Sequence, residues 1–267
     1  MKTYKLIIFI LLLPQLLFSL TDITPPEYAN ASNIVTKFDV SGRLYSVLQD
    51  NNNSYNRGKM MRYDGFQWKD ILTDISISTD PNDDDNITEH FTTNKLAYSD
   101  IEFDLQDNLY LMYGNQLGLN APVLNVQKYD TVNKVWINYN NSTQNTGLFE
   151  NNTPTSYAAS MDVNSSGNPY VAYIDASSNL VRVVYLDLMN LNNPNDDTWR
   201  FLPNSSGIVT STEVSLSVSH DVFYLAYIDS STNKISVLKY HENKWVDVDT
   251  NFSTGAVSNI EFYQDND

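Results

Sequence analysis

Gly167-Asn-Pro-Tyr-Val-Ala-Tyr-Ile-Asp175 decides how the rest of the chain is read, because the chain repeats it. Phe223-Tyr-Leu-Ala-Tyr-Ile-Asp229 is nearly the same segment, and Leu109-Tyr-Leu-Met-Tyr-Gly-Asn115 and Leu44-Tyr-Ser-Val-Leu-Gln-Asp50 are divergent copies. Aromatic and β-branched residues favour an extended chain. In a strand, Tyr170, Ala172 and Ile174 project to one side and Val171 and Tyr173 to the other. Both faces are apolar, so the strand must be covered on both sides.

Outward from this strand the repeat extends in both directions. The central tyrosines Tyr45, Tyr110, Tyr170 and Tyr224 recur at intervals of 54 to 65 residues. Each is followed by a second tyrosine, Tyr63, Tyr129, Tyr185 or Tyr240, at the end of a short β-rich run, and then by Trp68, Trp136, Trp199 or Trp245. Upstream lies another apolar run, Val35-Thr-Lys-Phe-Asp39, Ile101-Glu-Phe-Asp104, Ala159-Ser-Met-Asp162 or Val214-Ser-Leu-Ser-Val218. Ser41-Gly42, Asp107-Asn108 and Gly167-Asn168 supply residues that tolerate positive φ in the turn between the two strands. The unit is a four-stranded meander, and repeats of this size indicate the blades of a β-propeller. Ser258-Asn-Ile-Glu-Phe262 matches Ser99-Asp-Ile-Glu-Phe103 and opens a fifth unit. The expected fold is an all-β propeller of four-stranded antiparallel blades, incomplete, with four blades plus the first strand of a fifth. The alternative is a four-bladed ring closed by that extra strand. The blades fall at about 30–72, 95–138, 157–203 and 212–249, with a partial unit at 256–267, within a repeat region 30–267.

Phe38-Asp-Val-Ser-Gly-Arg-Leu-Tyr45 and Met161-Asp-Val-Asn-Ser-Ser-Gly-Asn-Pro-Tyr-Val171 resemble the hairpin of extracellular propeller repeats of the NHL and BNR-like type. The resemblance covers Asn30 to Asp267 and implies a propeller outside the cell. The Gly-Gly pair of kelch repeats, the Trp-Asp ending of WD40 units and the Asp-box of sialidases are all missing, so no named enzyme family is implied.

Composition narrows the partners. Acidic residues outnumber basic ones by 32 to 16 in 267 residues, a net charge of −16. Such a chain repels nucleic-acid phosphates and anionic membrane surfaces, and suits cationic partners or neutral ligands such as sugars. Cysteine is absent, which excludes disulfides, thiolate metal sites and a cysteine nucleophile. Residues 1–20 read as an export signal, with Lys2 and Lys5 before the apolar run Leu6 to Leu13 and Ser19 at the cleavage position. Leu6 to Leu20 is too short and interrupted to span a bilayer comfortably. Residues 21–29 are a linker. The expected location is secreted, periplasmic or cell surface, with no membrane insertion after cleavage.

Candidate functional groups are few. Recurrence of Asp39, Asp104 and Asp162 at one repeat position marks them as hairpin residues, because a catalytic acid is needed once per molecule and a turn residue once per blade. The same logic makes Asp50, Asn115, Asp175 and Asp229 strand-end residues. Asp80, Asn82, Asp84 and Asn86 alternate oxygen side chains as a calcium loop does. Asp85 and Phe91 stand where an EF-hand needs Gly and Glu, so a solvated acidic loop is the favoured reading. His90, His220 and His241 show no metal-ligand grouping. No catalytic residue and no cofactor are expected.

Loop geometry points to one rim. In a meander the second-to-third and fourth-to-first connections share one end of the sheets. The stretches Asn51 to Gly58, Thr73 to Ala97, Asn115 to Pro122 and Asn138 to Tyr157 crowd there, and long loops on a rigid scaffold commonly carry binding residues. The aromatics Tyr55, Phe91, Tyr98, Tyr139, Phe149 and Tyr157 in these connections are the candidate contacts for a sugar ring or a protein partner. The expected function is an exported or cell-surface binding module that engages a glycan or protein. The alternative is a fragment of a propeller-fold glycoside hydrolase or lyase.

Overall fold

A computed structural model describes residues 31–51, 56–65, 68–71, 94–130, 135–139, 156–187, 198–219, 222–250, 253–258 and 260–261. They form four antiparallel meanders and no helix. The first sheet is β1 (Ala31–Phe38), β2 (Leu44–Asp50), β3 (Gly58–Tyr63) and β4 (Trp68–Asp70). The second is β5 (Lys95–Phe103), β6 (Leu109–Gln116), β7 (Val123–Asp130) and β8 (Val135–Asn138). The third is β9 (Ser156–Val163), β10 (Pro169–Asp175), β11 (Val181–Asp187) and β12 (Thr198–Phe201). The fourth is β13 (Ser211–Ser219), β14 (Val222–Asp229), β15 (Ile235–His241) and β16 (Lys244–Asp249). The sheets pack face to face as propeller blades, with β1, β5, β9 and β13 innermost around an axial cavity.

The two-faced strand explains the packing. Tyr170, Ala172 and Ile174 enter a core shared with Leu216, Leu225 and Tyr227 of the fourth sheet, whereas Val171 and Tyr173 enter a core shared with Tyr110 and Met112 of the second. A third core joins Tyr45, Val47 and Met60 to Ile101, Leu111 and Tyr113 of the second sheet. Among the described residues these cores link consecutive sheets, and none links the fourth to the first.

Hairpins between the first two strands are alike in the first three sheets. Asp39 Oδ1 accepts the Arg43 N–H at 2.7 Å, and Asp104 Oδ1 accepts the Gln106 and Asn108 N–H groups at 3.0 and 2.9 Å. The positive φ falls on Gly42, Asp107 and Gly167, at 78°, 61° and 81°. In the third sheet, however, the capping residue is Asn164, whose Oδ1 accepts the Ser166 and Asn168 N–H groups at 3.1 and 2.9 Å. This corrects the reading of Asp162 as a hairpin residue. A short amide caps the turn as a carboxylate does, and Asp162 lies two residues earlier, opposite Tyr170.

A second correction concerns Tyr185. Tyr63, Tyr129 and Tyr240 pair directly with Trp68, Trp136 and Trp245, but Tyr185 pairs with Arg200 and it is Leu186 that faces Trp199. Tyr185 sits opposite Tyr170, where the other sheets have Arg62, Lys128 and Lys239. It stacks on Tyr170 at 5.6 Å between ring centroids, while Lys128 and Lys239 lie over Tyr110 and Tyr224. A one-residue offset sends a side chain to the opposite face, so Leu186, not Tyr185, belongs to the core facing the second sheet.

Each blade is also clasped to the next through the main chain. The N–H groups of Leu96, Ser211 and Val257 donate to the carbonyls of Asn56, Asn179 and Asn233 at 3.0, 3.3 and 3.0 Å, and Ser156 N–H donates to Pro122 at 3.0 Å. All three asparagines are left-handed, with φ of 51°, 57° and 54°, a conformation asparagine tolerates and β-branched residues resist. Asn233→Val should therefore cost about 1–2 kcal/mol in chemical denaturation, whereas Asn233→Gly should be close to neutral. Equal midpoints for the two variants would remove the left-handed backbone as the reason for asparagine here. The segment expected to open a fifth unit enters by the same clasp at Val257, and Ile260 and Glu261 reach the axial cavity, although the described part forms no ladder.

Candidate functional site

The axial cavity, of about 840 Å³, is walled by the innermost strands, and Lys37, Asp100, Glu102, Asp162 and Glu213 are among its lining. Three of its carboxylates, Asp100, Glu102 and Asp162, hold blades together. Asp100 accepts the Ile101 N–H and, across the blade boundary, the Met161 N–H, both at 3.0 Å. Asp162 repeats this one blade on, accepting Val163 N–H at 2.7 Å and Val218 N–H at 2.6 Å, while Ser160 Oγ accepts Leu216 N–H at 3.1 Å. Glu102 pairs with Lys37 of the first sheet. Edge N–H groups of the innermost strands that have no ladder partner are thus satisfied by side chains of the neighbouring blade, as buried donors require.

Burial raises the pKa of Asp100, and it pushes Asp162 up to about 6 against the opposing effect of its two backbone donors. Burial also raises Glu213, at the opposite end of the cavity wall. A carboxylate whose pKa is higher folded than unfolded binds its proton more tightly in the native state. Its contribution therefore favours folding increasingly as pH falls through 6 toward the unfolded value near 3.8, and opposes folding once ionised. Asp162→Asn should flatten that part of the stability profile. Thermal midpoints of the two proteins between pH 4 and 8 test this, and parallel curves would contradict it. Among the described residues no group of three or more His, Asp or Glu side chains is arranged to hold a metal ion.

The sequence candidates separate on inspection. Tyr55, Phe91 and Phe149, and the acidic loop with Asp80, Asn82, Asp84 and Asn86, lie outside the described residues, as do residues 1–30. Tyr98 lies within β5, not in a connection, and its ring covers Gly114 and packs on the core between the second and third sheets. Burial raises its phenol's pKa, an effect the Ser156 hydroxyl partly offsets. Tyr139 follows β8, packs at the same core, and its carbonyl accepts Trp199 Nε1 at 2.7 Å. Tyr157 lies within β9 yet is 58% exposed. The long connections accordingly end earlier than expected: residues 95–97 and 156–157 are strand.

Tyr157 borders a second cavity, of about 390 Å³, between the third and fourth sheets at the end shared by the second-to-third and fourth-to-first connections. Ile174 forms its apolar side, and Asn179, Thr210, Thr212 and Ser230 its polar side. The strand-end aspartates stand beneath it as turn residues. Asp175 Oδ1 accepts Ser177 and Ser178 N–H at 2.9 and 3.0 Å, and Asp229 Oδ1 accepts Ser231 N–H at 2.7 Å. The sequence singles out Tyr157 but not the polar residues beside it, because Thr210 and Ser230 belong to the next blade and sequence distance hides the pairing.

With sheets, axis and clefts in place, the chain is an all-β propeller protein. No protein-family model and no curated protein matches it. Among solved structures, an Aleuria aurantia lectin in complex with Fucα1-6GlcNAc shares 13% identity at a TM-score of 0.50, over 90% of this chain and 69% of the lectin. A Hadza microbial sialidase shares 13% identity at 0.50, over 81% of this chain and 46% of that one. An exo-β-1,3-galactanase from Phanerochaete chrysosporium shares 13% identity at 0.50, over 82% and 50%. This chain spans about half the length of the latter two. At these identities the likeness is one of fold.

Proposed function

We propose that this chain is an exported or cell-surface propeller module that engages a glycan through the rim bearing its long connections. The observation that carries the reading is Tyr157, an exposed aromatic beside an open cleft on that rim. Its place in the repeat adds weight. The residue after Leu96, Ser156 and Ser211, which pair with the equivalent strand-end residues Asn115, Asp175 and Asp229, is Ala97, Tyr157 or Thr212. The fold does not demand an aromatic there. Lectin and glycosidase propellers among the similar structures are consistent with a carbohydrate partner. A protein partner on the same rim is the outcome that a glycan-negative, partner-positive binding screen would support.

The enzymatic reading, a propeller-fold glycoside hydrolase or lyase, has one observation in its favour: Asp162, with its pKa raised to about 6, lies in the axial cavity with Asp100 and Glu213. Perturbed carboxylates in a cavity are candidate acids. Against this, both oxygens of Asp162 and of Asp100 already accept backbone N–H groups. A glycan array probed with the folded chain, alongside release assays on the bound glycans, separates the readings. Capture without turnover supports the module. Turnover abolished by Asp162→Asn would replace it with the enzyme, and failure to capture any glycan would remove it.

A further inference from the structure

We infer that the cleft beside Tyr157 is a subsite for an uncharged sugar, an inference that rests on the glycan reading and adds to it a place and a ligand class. Three features of the cleft select that chemistry. The first is the pairing of an exposed ring with unspent polar groups: the side chains of Tyr157, Asn179 and Thr212 make no hydrogen bond within the described residues. An aromatic face takes the C–H side of a pyranose, and hydroxyl and amide groups at the edge take its hydroxyls, the usual division of labour in a small-ligand pocket of about 300–1,000 Å³.

The second feature is rigidity. Asn179 is fixed in its left-handed conformation, and its carbonyl accepts Ser211 N–H at 3.3 Å. Ser211 Oγ contacts the Glu213 and Ile228 carbonyls at 2.6 and 2.8 Å, and Ser230 Oγ lies 2.9 Å from Thr210 Oγ1. Both walls are therefore set before a ligand arrives, which lowers the ordering cost of weak, hydroxyl-rich ligands.

The third feature is charge. Among the described residues no Lys, Arg or His lines the cleft. The nearby carboxylates of Asp175 and Asp229 are fixed in the turns below, and Arg182 is paired with Asp175 at 3.1 Å. A uronate or sialic acid carboxylate would meet no cation in the lining and would approach a chain of net charge −16. A neutral hexose or deoxyhexose meets neither obstacle.

The test titrates the intact folded protein with a panel of neutral oligosaccharides and matched uronate-bearing and sialylated ones, by array and calorimetry. Neutral sugars should bind, Tyr157→Ala should weaken them about tenfold or more, and Tyr157→Phe and Tyr157→Trp should retain most of the affinity. Thr212→Val should weaken binding less, and all four variants should keep the wild-type thermal midpoint. Neutral binding undiminished in Tyr157→Ala would overturn the placement while leaving the glycan reading intact. Binding confined to acidic glycans would overturn the ligand class and again leave that reading intact. Capture of no glycan by the folded protein would overturn both together.

Discussion

Ala172→Trp should lower the free energy of unfolding by about 3 kcal/mol or more, the upper end of what overpacking costs. Ala172 is fully buried in the core between the third and fourth sheets, paired on its own sheet with Val183 and Ser160. The opposite wall is closed by Leu216 and Leu225. An indole there must push two sheets apart, and interiors packed at crystal density yield little. Against a typical total stability of about 5–15 kcal/mol such a loss is plain in a denaturant titration. An unchanged midpoint would mean that this sheet-to-sheet contact does not stabilise the protein.

The second large effect is expected at Gly114. A Cβ added there would lie 2.5 Å from Tyr98 Cζ and 2.6 Å from its Cε1. The ring has no free path of retreat, because it packs on the neighbouring core. Gly114→Ala should therefore destabilise by about 1–3 kcal/mol. Tyr98→Leu alone should also destabilise by losing ring contacts, yet the double variant should lose less than the sum of the two, since each change relieves what the other disturbs. Strict additivity in denaturant midpoints would show that the glycine is there for some reason other than Tyr98.

These two sites show unequal legibility. The two-sided strand around Ala172 was readable because alternate side chains of one short segment were apolar on both parities, and coverage on both faces follows from geometry alone. Gly114, by contrast, reads in sequence as a worn position of the repeat, and its partner Tyr98 reads as a loop aromatic. The strand that carries Tyr98 begins at Lys95, before any apolar alternation marks it. Asp162 reads in sequence as the hairpin residue because it is the nearest aspartate to the turn, whereas Asn164 caps that turn as an aspartate would. Tyr185 reads in sequence as the counterpart of Tyr63, Tyr129 and Tyr240, and only the ladder reveals that Leu186 holds that place. An asparagine two residues ahead of β3, β11 and β15 was a usable signal for the inter-blade clasp. It is a short-range cue, but the bond it makes is long-range.

Among the described residues the apolar cores join each sheet to its neighbours in order, and that arrangement makes these four sheets behave as a row of coupled units. In such a system stability is set by pairwise interfaces, and order is lost progressively from the terminal members. The second and third sheets, sandwiched on both faces, should retain amide protons against exchange longest. The cleft beside Tyr157 lies where the third sheet meets the fourth, so any ligand that bridges its two walls also tightens the joint between those two sheets.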